Sequence, residues 1–318
     1  MMKQFRALLQ REFVEHHKAF VWSPVLVLAL VVVLGLTFVG GSGAIDIQMS
    51  DGQTTNRVEL DSAGMGQGLG RALTAFMVDA AGATDAQLSK RMNALMYLIA
   101  VPFYWVLLGV SLFALTACLY DERKEGSVLF WKSMPVADWM SVASKYVFVA
   151  WIAPLITITV IFIAQLYAIL VIATMVEDGS GSRVLLHSGL LVSLAQLLIG
   201  YLLNGFVVLP LFAWFMLVSS WANRAPLLWA LGVPIWLSVL DGIVFDANLI
   251  GRFAGYHGSM QTLPRTQTLD ETGALGMTTT PMADQFSVLL QGQFWVGLMV
   301  GVALLAVTVY LRRAKNEI

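Results

Sequence analysis

Residues 119–145, LYDERKEGSVLFWKSMPVADWMSVASK, decide how the rest of the chain is read. Asp121, Glu122, Arg123, Lys124 and Glu125 put five charges in a row, and long apolar runs lie on both sides. A charged cluster between two runs long enough to cross a bilayer is the corner between two spans, left in water on one face. Gly126 and Ser127 lower helix propensity and permit close approach of another backbone. Residues 128–131, Val-Leu-Phe-Trp, are apolar but too short to span. Ser133 can cap a helix, and Pro135 suits the first turn of a new one. The stretch therefore predicts a helix, a sharp corner and a helix returning to the membrane. Its free surface carries both signs of charge and the ring of Trp131. That fits docking to another protein better than lipid binding, which favours uniformly basic faces. The plainer alternative is a charged loop that only joins two spans.

Working outward, the composition agrees. Of 318 residues, 58% are hydrophobic and 12% charged, where soluble domains carry about 25% charged residues. The expected fold class is all-α, a polytopic membrane protein with a single domain over 1–318. Apolar runs predict six transmembrane helices at 20–39, 95–119, 146–175, 190–221, 227–244 and 294–311. The third and fourth exceed what a bilayer needs, which predicts tilt or protrusion. The corner occupies 120–139, and polar loops fill 40–91 and 245–284, with a short helix over 69–78. The first run is too long for the roughly 7–15 apolar residues of a signal peptide, so it is expected to stay as a span.

Residues 1–19 place Phe5, Leu8, Leu9, Phe13 and then Phe20 at mostly helical spacing, with basic residues largely elsewhere. This predicts an amphipathic elbow helix at the membrane interface. His16 and His17 are adjacent, so on a helix they point apart and make a poor metal pair. With the N-terminus in the cytoplasm, 12 of the 19 Lys and Arg lie inside and 7 outside. Both termini and the corner then face the cytoplasm.

A single cysteine, Cys118, excludes a disulfide within the chain. A net charge of −1 and the lack of a long basic tract give no reason to expect a nucleic-acid partner. Zinc-protease, Cys-x-x-Cys and nucleophile-elbow motifs are absent. The Gly-rich GMGQGLG at 64–70 follows no strand, so it fails the context a dinucleotide site needs. Few ionisable residues fall inside the spans, unlike a proton- or sodium-driven carrier. Asp241 is the exception; it reads as an interfacial acid or as part of a pathway or outer gate. Gln165 and Asn204 could line a cavity or join helices by hydrogen bonds. Pro102, Pro154, Pro210 and Pro234 predict kinks in four spans.

The run Asp121-Glu122-Arg123-Lys124-Glu125-Gly126-Ser127, followed by Lys132-Ser133-Met134-Pro135-Val136 and by Lys145, resembles the intracellular coupling segment of type 2 ABC transporter permeases. The leader LLQREFVEHH, the six spans and the basic tail are similar as well; the long first outer loop departs from the pattern. The resemblance implies the permease subunit of an ATP-driven exporter in a bacterial cytoplasmic (inner) membrane, forming its substrate pathway as a homodimer. Coupling to the ATPase would fall to Asp121, Glu122, Arg123, Lys124, Glu125, Gly126, Ser127, Trp131, Lys132, Ser133 and Pro135. Gln165, Asn204 and Asp241 are the candidate pathway residues. No Gly-x-x-x-x-Gly-Lys-Ser/Thr loop occurs in the sequence, so ATP and Mg are expected on a separate ATPase subunit, with no cofactor or enzymatic step in this chain. The expected partners are that ATPase, a second permease copy and membrane lipid. Two other readings stay open: a membrane-embedded lipid-modifying enzyme, and a non-pumping membrane anchor for a protein complex.

Overall fold

A computed structural model describes residues 2–40, 84–126, 136–175, 181–245, 248–259, 266–268, 277–279 and 282–314. The fold is all-α, and six of its helical stretches are long and apolar enough to cross a membrane. The chain begins with α1 (Met2–Gly40). After it come α2 (Asp85–Ala117), the short α3 (Tyr120–Lys124) and α4 (Asp138–Val147). A π-helical turn (Phe148–Ile152) joins α4 to α5 (Ala153–Met175). Then follow α6 (Gly181–Leu186), α7 (Leu190–Val207), α8 (Leu209–Trp221), α9 (Pro226–Phe245) and α10 (Leu249–Gly258). An antiparallel ribbon pairs Thr266–Thr268 with Met277–Thr279 and packs on α2. Finally α11 (Met282–Gln285) and a 3-10 turn (Phe286–Leu290) lead into α12 (Gly292–Ala314).

The elbow helix expected over 1–19 is not a separate element. Leader and first span form the single helix α1, because no Gly or Pro lies between Met2 and Ser23 to break it. Its buried stripe also differs from the apolar face read in the sequence. Leu8, Glu12 and Phe20 are buried at four- and eight-residue spacing, while Phe13 is exposed. A carboxylate thus occupies a core-facing position.

The kinks are localised by chemistry. Pro154 has no N–H to give the Ala150 carbonyl, and the π turn lies immediately before it, with the Ala153 N–H bonded back to Phe148 O. The span expected over 190–221 is two helices, α7 and α8, parted at Val208. Pro210 removes one backbone donor there, and Val208 has a flattened ψ of −3°. Pro102 and Pro234 sit inside helices that run on unbroken.

The core gathers Phe20, Phe103, Leu115, Phe148, Ile161 and Met216, all almost fully buried. Phe20 and Phe148 meet edge to face at 5.5 Å. The α8–α12 and α1–α5 pairs make the most extensive helix contacts. On α9, Leu228, Ile235, Trp236, Ile243 and Val244 point away from the bundle. In a membrane protein such a surface faces lipid or another apolar partner.

On the side of α10, His257 is buried against Gly297, and its Nδ1–H donates to Val207 O at 2.6 Å. Burial pulls its pKa below the ordinary imidazole value. The neutral ring is therefore the folded form, and the stability it contributes is present above the unfolded pKa and lost as pH falls through the folded one. The melting temperature is expected to drop between pH 7 and pH 5, and to drop less in His257→Gln; equal drops would refute this assignment.

Candidate functional site

The corner is built around α3. The Leu119 and Tyr120 N–H groups both donate to Ser219 Oγ at 3.0 Å, tying the end of α2 to α8. Arg123 donates to Ser219 O at 2.8 Å and Ala222 O at 2.7 Å. Those carbonyls close the C-terminal end of α8, where a cation is favoured by unpaired C=O groups and the helix dipole. After α3 the chain turns at Gly126, whose φ of +70° is a left-handed helix-ending conformation. Among the described residues no atom would meet a Cβ at Gly126, so the requirement for glycine seen there is its positive φ.

Glu122 points the opposite way, into the bundle, and is 4% exposed. Its Oε1 lies 3.0 Å from Arg11 Nη2 and 3.1 Å from Lys145 Nζ, and its Oε2 lies 3.2 Å from Arg312 Nη1. Lys145, 1% exposed, also donates to both oxygens of Glu12 at 3.0 and 3.2 Å. Arg11 reaches Glu15 at 3.4 Å, while Arg312 and Arg313 reach Asp138 at 3.5 and 3.7 Å. The cluster thus pairs Glu12, Glu15, Glu122 and Asp138 with Arg11, Lys145, Arg312 and Arg313. It joins α1, α3, α4 and α12 and places the start of α1 and the end of α12 at the same end of the bundle. Buried charges persist where each meets an opposite charge and further hydrogen bonds.

Glu12, Glu15 and His16 bring ligand atoms within 4.8 Å of one another. Lys145 and Arg11 already engage those carboxylates, and their positive charges oppose a divalent cation there.

The residues expected at the coupling site therefore separate. Asp121, Lys124, Glu125 and Gly126 are exposed. Glu122 is buried and Arg123 half-buried, and both tie α3 to other helices, so the run is not one evenly solvated face. Ser127, Trp131, Lys132, Ser133 and Pro135 lie outside the described residues. Sequence reasoning missed Glu12, Arg11, Asp138 and Arg312. Glu12 had a signal, since it falls on the Leu8–Phe20 stripe of α1.

The candidate pathway residues also part company. Gln165 is fully buried and donates from Nε2 to Met96 O at 2.8 Å and Ser193 Oγ at 3.1 Å, joining α5 to α2 and α7. Asp241 accepts the Ile250 N–H at 3.0 Å, capping the first turn of α10 from α9. Asn204 borders a small cavity in the core together with Tyr104, Ser111 and Tyr201. In comparisons with family models, curated proteins and solved structures, nothing matches this chain.

Proposed function

We propose that the chain is the membrane-spanning subunit of an ATP-driven exporter of the type 2 ABC permease kind, working as a dimer in a bacterial cytoplasmic membrane. ATP and Mg belong to a separate ATPase, which supplies phosphate-bond hydrolysis; the residues of this chain receive and transmit force. The observation that carries the reading is the two-sidedness of α3. Asp121, Lys124 and Glu125 face outward, while Glu122 and Arg123 fasten the same five-residue helix to α1, α4, α8 and α12. A push on the outer side of α3 moves side chains that hold four other helices. Rigid elements coupled through packed ion pairs are a physical route for such a signal.

The test is co-purification from native membranes in mild detergent. Wild type is expected to bring down an ATP-hydrolysing subunit. Asp121→Arg/Lys124→Glu/Glu125→Arg is expected to lose it while keeping its own melting temperature, because those three side chains are exposed. Wild type without an ATPase, or equal recovery with both proteins, would refute the reading and leave the anchor or enzyme alternatives.

A further inference from the structure

Away from the charge cluster, the core holds a second group of polar atoms. Tyr104 and Ser111 from α2 and Tyr201 and Asn204 from α7 line a cavity of about 20 Å³. That is room for one water or one hydroxyl group. Tyr104, Tyr201 and Asn204 are 3%, 4% and 7% exposed. The Tyr201 hydroxyl and Asn204 Oδ1 are buried with no hydrogen-bond partner among the described residues. The Tyr104 hydroxyl comes beside Asn204 without closing a bond of good geometry. The phenol rings of Tyr104 and Tyr201 stand 6.1 Å apart.

Three residues bordering one space thus each carry a buried polar atom without a hydrogen-bond partner among the described residues, where buried polar groups are nearly always paired. The cavity also sits where the bundle is irregular: the π turn at Val149 and Ala150, Pro154, and the α7–α8 break at Val208 all border it. The remaining walls, including Leu107, Leu108 and Phe212, are apolar.

We propose that this cavity binds the hydroxyl group of an uncharged amphiphile. Among the described residues no Asp, Glu, Lys, Arg or His lines it, so a charged head would be desolvated with no counter-charge. A hydroxyl both donates and accepts, which meets the Asn204 Oδ1 acceptor and a tyrosine O–H donor together. An ether accepts only and leaves Asn204 Oδ1 unpaired. The cavity takes the hydroxyl alone, and its apolar walls Leu107, Leu108 and Phe212 suit the carbon that bears it. The site belongs to one protomer and does not depend on the ATPase reading.

The experiment uses the full chain in phosphatidylcholine nanodiscs with three photoreactive probes: dodecanol with a diazirine beside its hydroxyl end, the methyl ether of that alcohol, and the matching dodecanoate. Crosslinks are mapped by mass spectrometry. The alcohol is expected to label peptides containing Tyr104, Tyr201 or Asn204, saturably, and to be displaced by plain dodecanol. The ether and dodecanoate should label them about tenfold less, the effect of losing one or two ordinary hydrogen bonds. Tyr104→Phe/Tyr201→Phe, which keeps the volume, should reduce labelling by the alcohol about as much. Equal labelling by all three probes in wild type overturns the proposal whatever the variant does, as does label confined to the outward face of α9. The source of the hydroxyl is read by repeating the alcohol experiment in native lipid extract. Labelling that disappears there assigns the site to a resident hydroxylated lipid, and labelling that persists assigns it to a diffusing amphiphile.

Discussion

Lys145→Met is expected to destabilise the protein by about 3–5 kcal/mol, the usual effect of removing one partner from a buried ion pair. The ammonium touches Glu12 at 3.0 Å and Glu122 at 3.1 Å, so its loss leaves two buried carboxylates repelling each other. Arg11 and Arg312 still hold Glu122, but among the described residues Glu12 keeps the longer contacts to Arg11 and His16, at 4.0 and 3.7 Å. Glu12→Gln/Lys145→Met, which removes both charges of that pair, should be milder than Lys145→Met alone. Thermal denaturation in detergent, followed by tryptophan fluorescence, gives both values. A single variant as stable as wild type would show that the cluster holds nothing together. A double variant worse than the single would show that Glu12 acts through something other than its charge.

Gly301→Ala is the second large effect, expected to cost about 1–3 kcal/mol by overpacking. A Cβ there would lie 2.5 Å from Leu209 Cγ and 3.0 Å from the Pro210 nitrogen. The backbone nitrogen cannot swing aside, so α12 must back away from α8, the most extensive helix contact in the bundle. Gly232→Ala gives the opposite sign. It lies inside α9 with nothing among the described residues within 4 Å of the added methyl, and alanine is favoured over glycine in a helix by roughly 0.5–1 kcal/mol. Opposite shifts in melting temperature are expected from the same substitution, and shifts of one sign would contradict the packing described here.

The spans were legible because they rest on a one-dimensional property: about 20 apolar residues without charge announce a crossing wherever they occur. The missing N–H of Pro210 announced a kink, but not the division of 190–221 into two helices. The same signal at Pro102 and Pro234 lies inside unbroken helices. What the sequence hid is where the charges go. Glu122 finds partners on α1, α4 and α12, and Arg123 finds carbonyls 96 and 99 residues away on α8. No local pattern encodes such distances, so five consecutive charges read as one solvated face when two of them point inward. Asp241 shows the reverse limit. An acid near the end of a span reads either as interfacial or as part of a pathway. What no local pattern shows is that its oxygen accepts the backbone N–H of a residue nine positions on. The continuous α1 was legible in principle, since helix breakers are missing up to Ser23; the change from polar to apolar residues was given more weight than the unbroken propensity.

The pairing of four acids with four bases has a consequence for a membrane protein wherever a potential lies across the bilayer. A charge carried through a full 100 mV potential changes in energy by about 2.3 kcal/mol. A group of charges that sums to zero and shifts as one body does no such electrical work. The cluster itself therefore adds no electrical work to a joint movement of α1, α3, α4 and α12; any voltage dependence comes from the charges outside it, such as Lys3, Arg6 and Lys18 on α1. Removing Lys145 would leave the cluster itself one negative charge out of balance, and its own movement would then carry an electrical term.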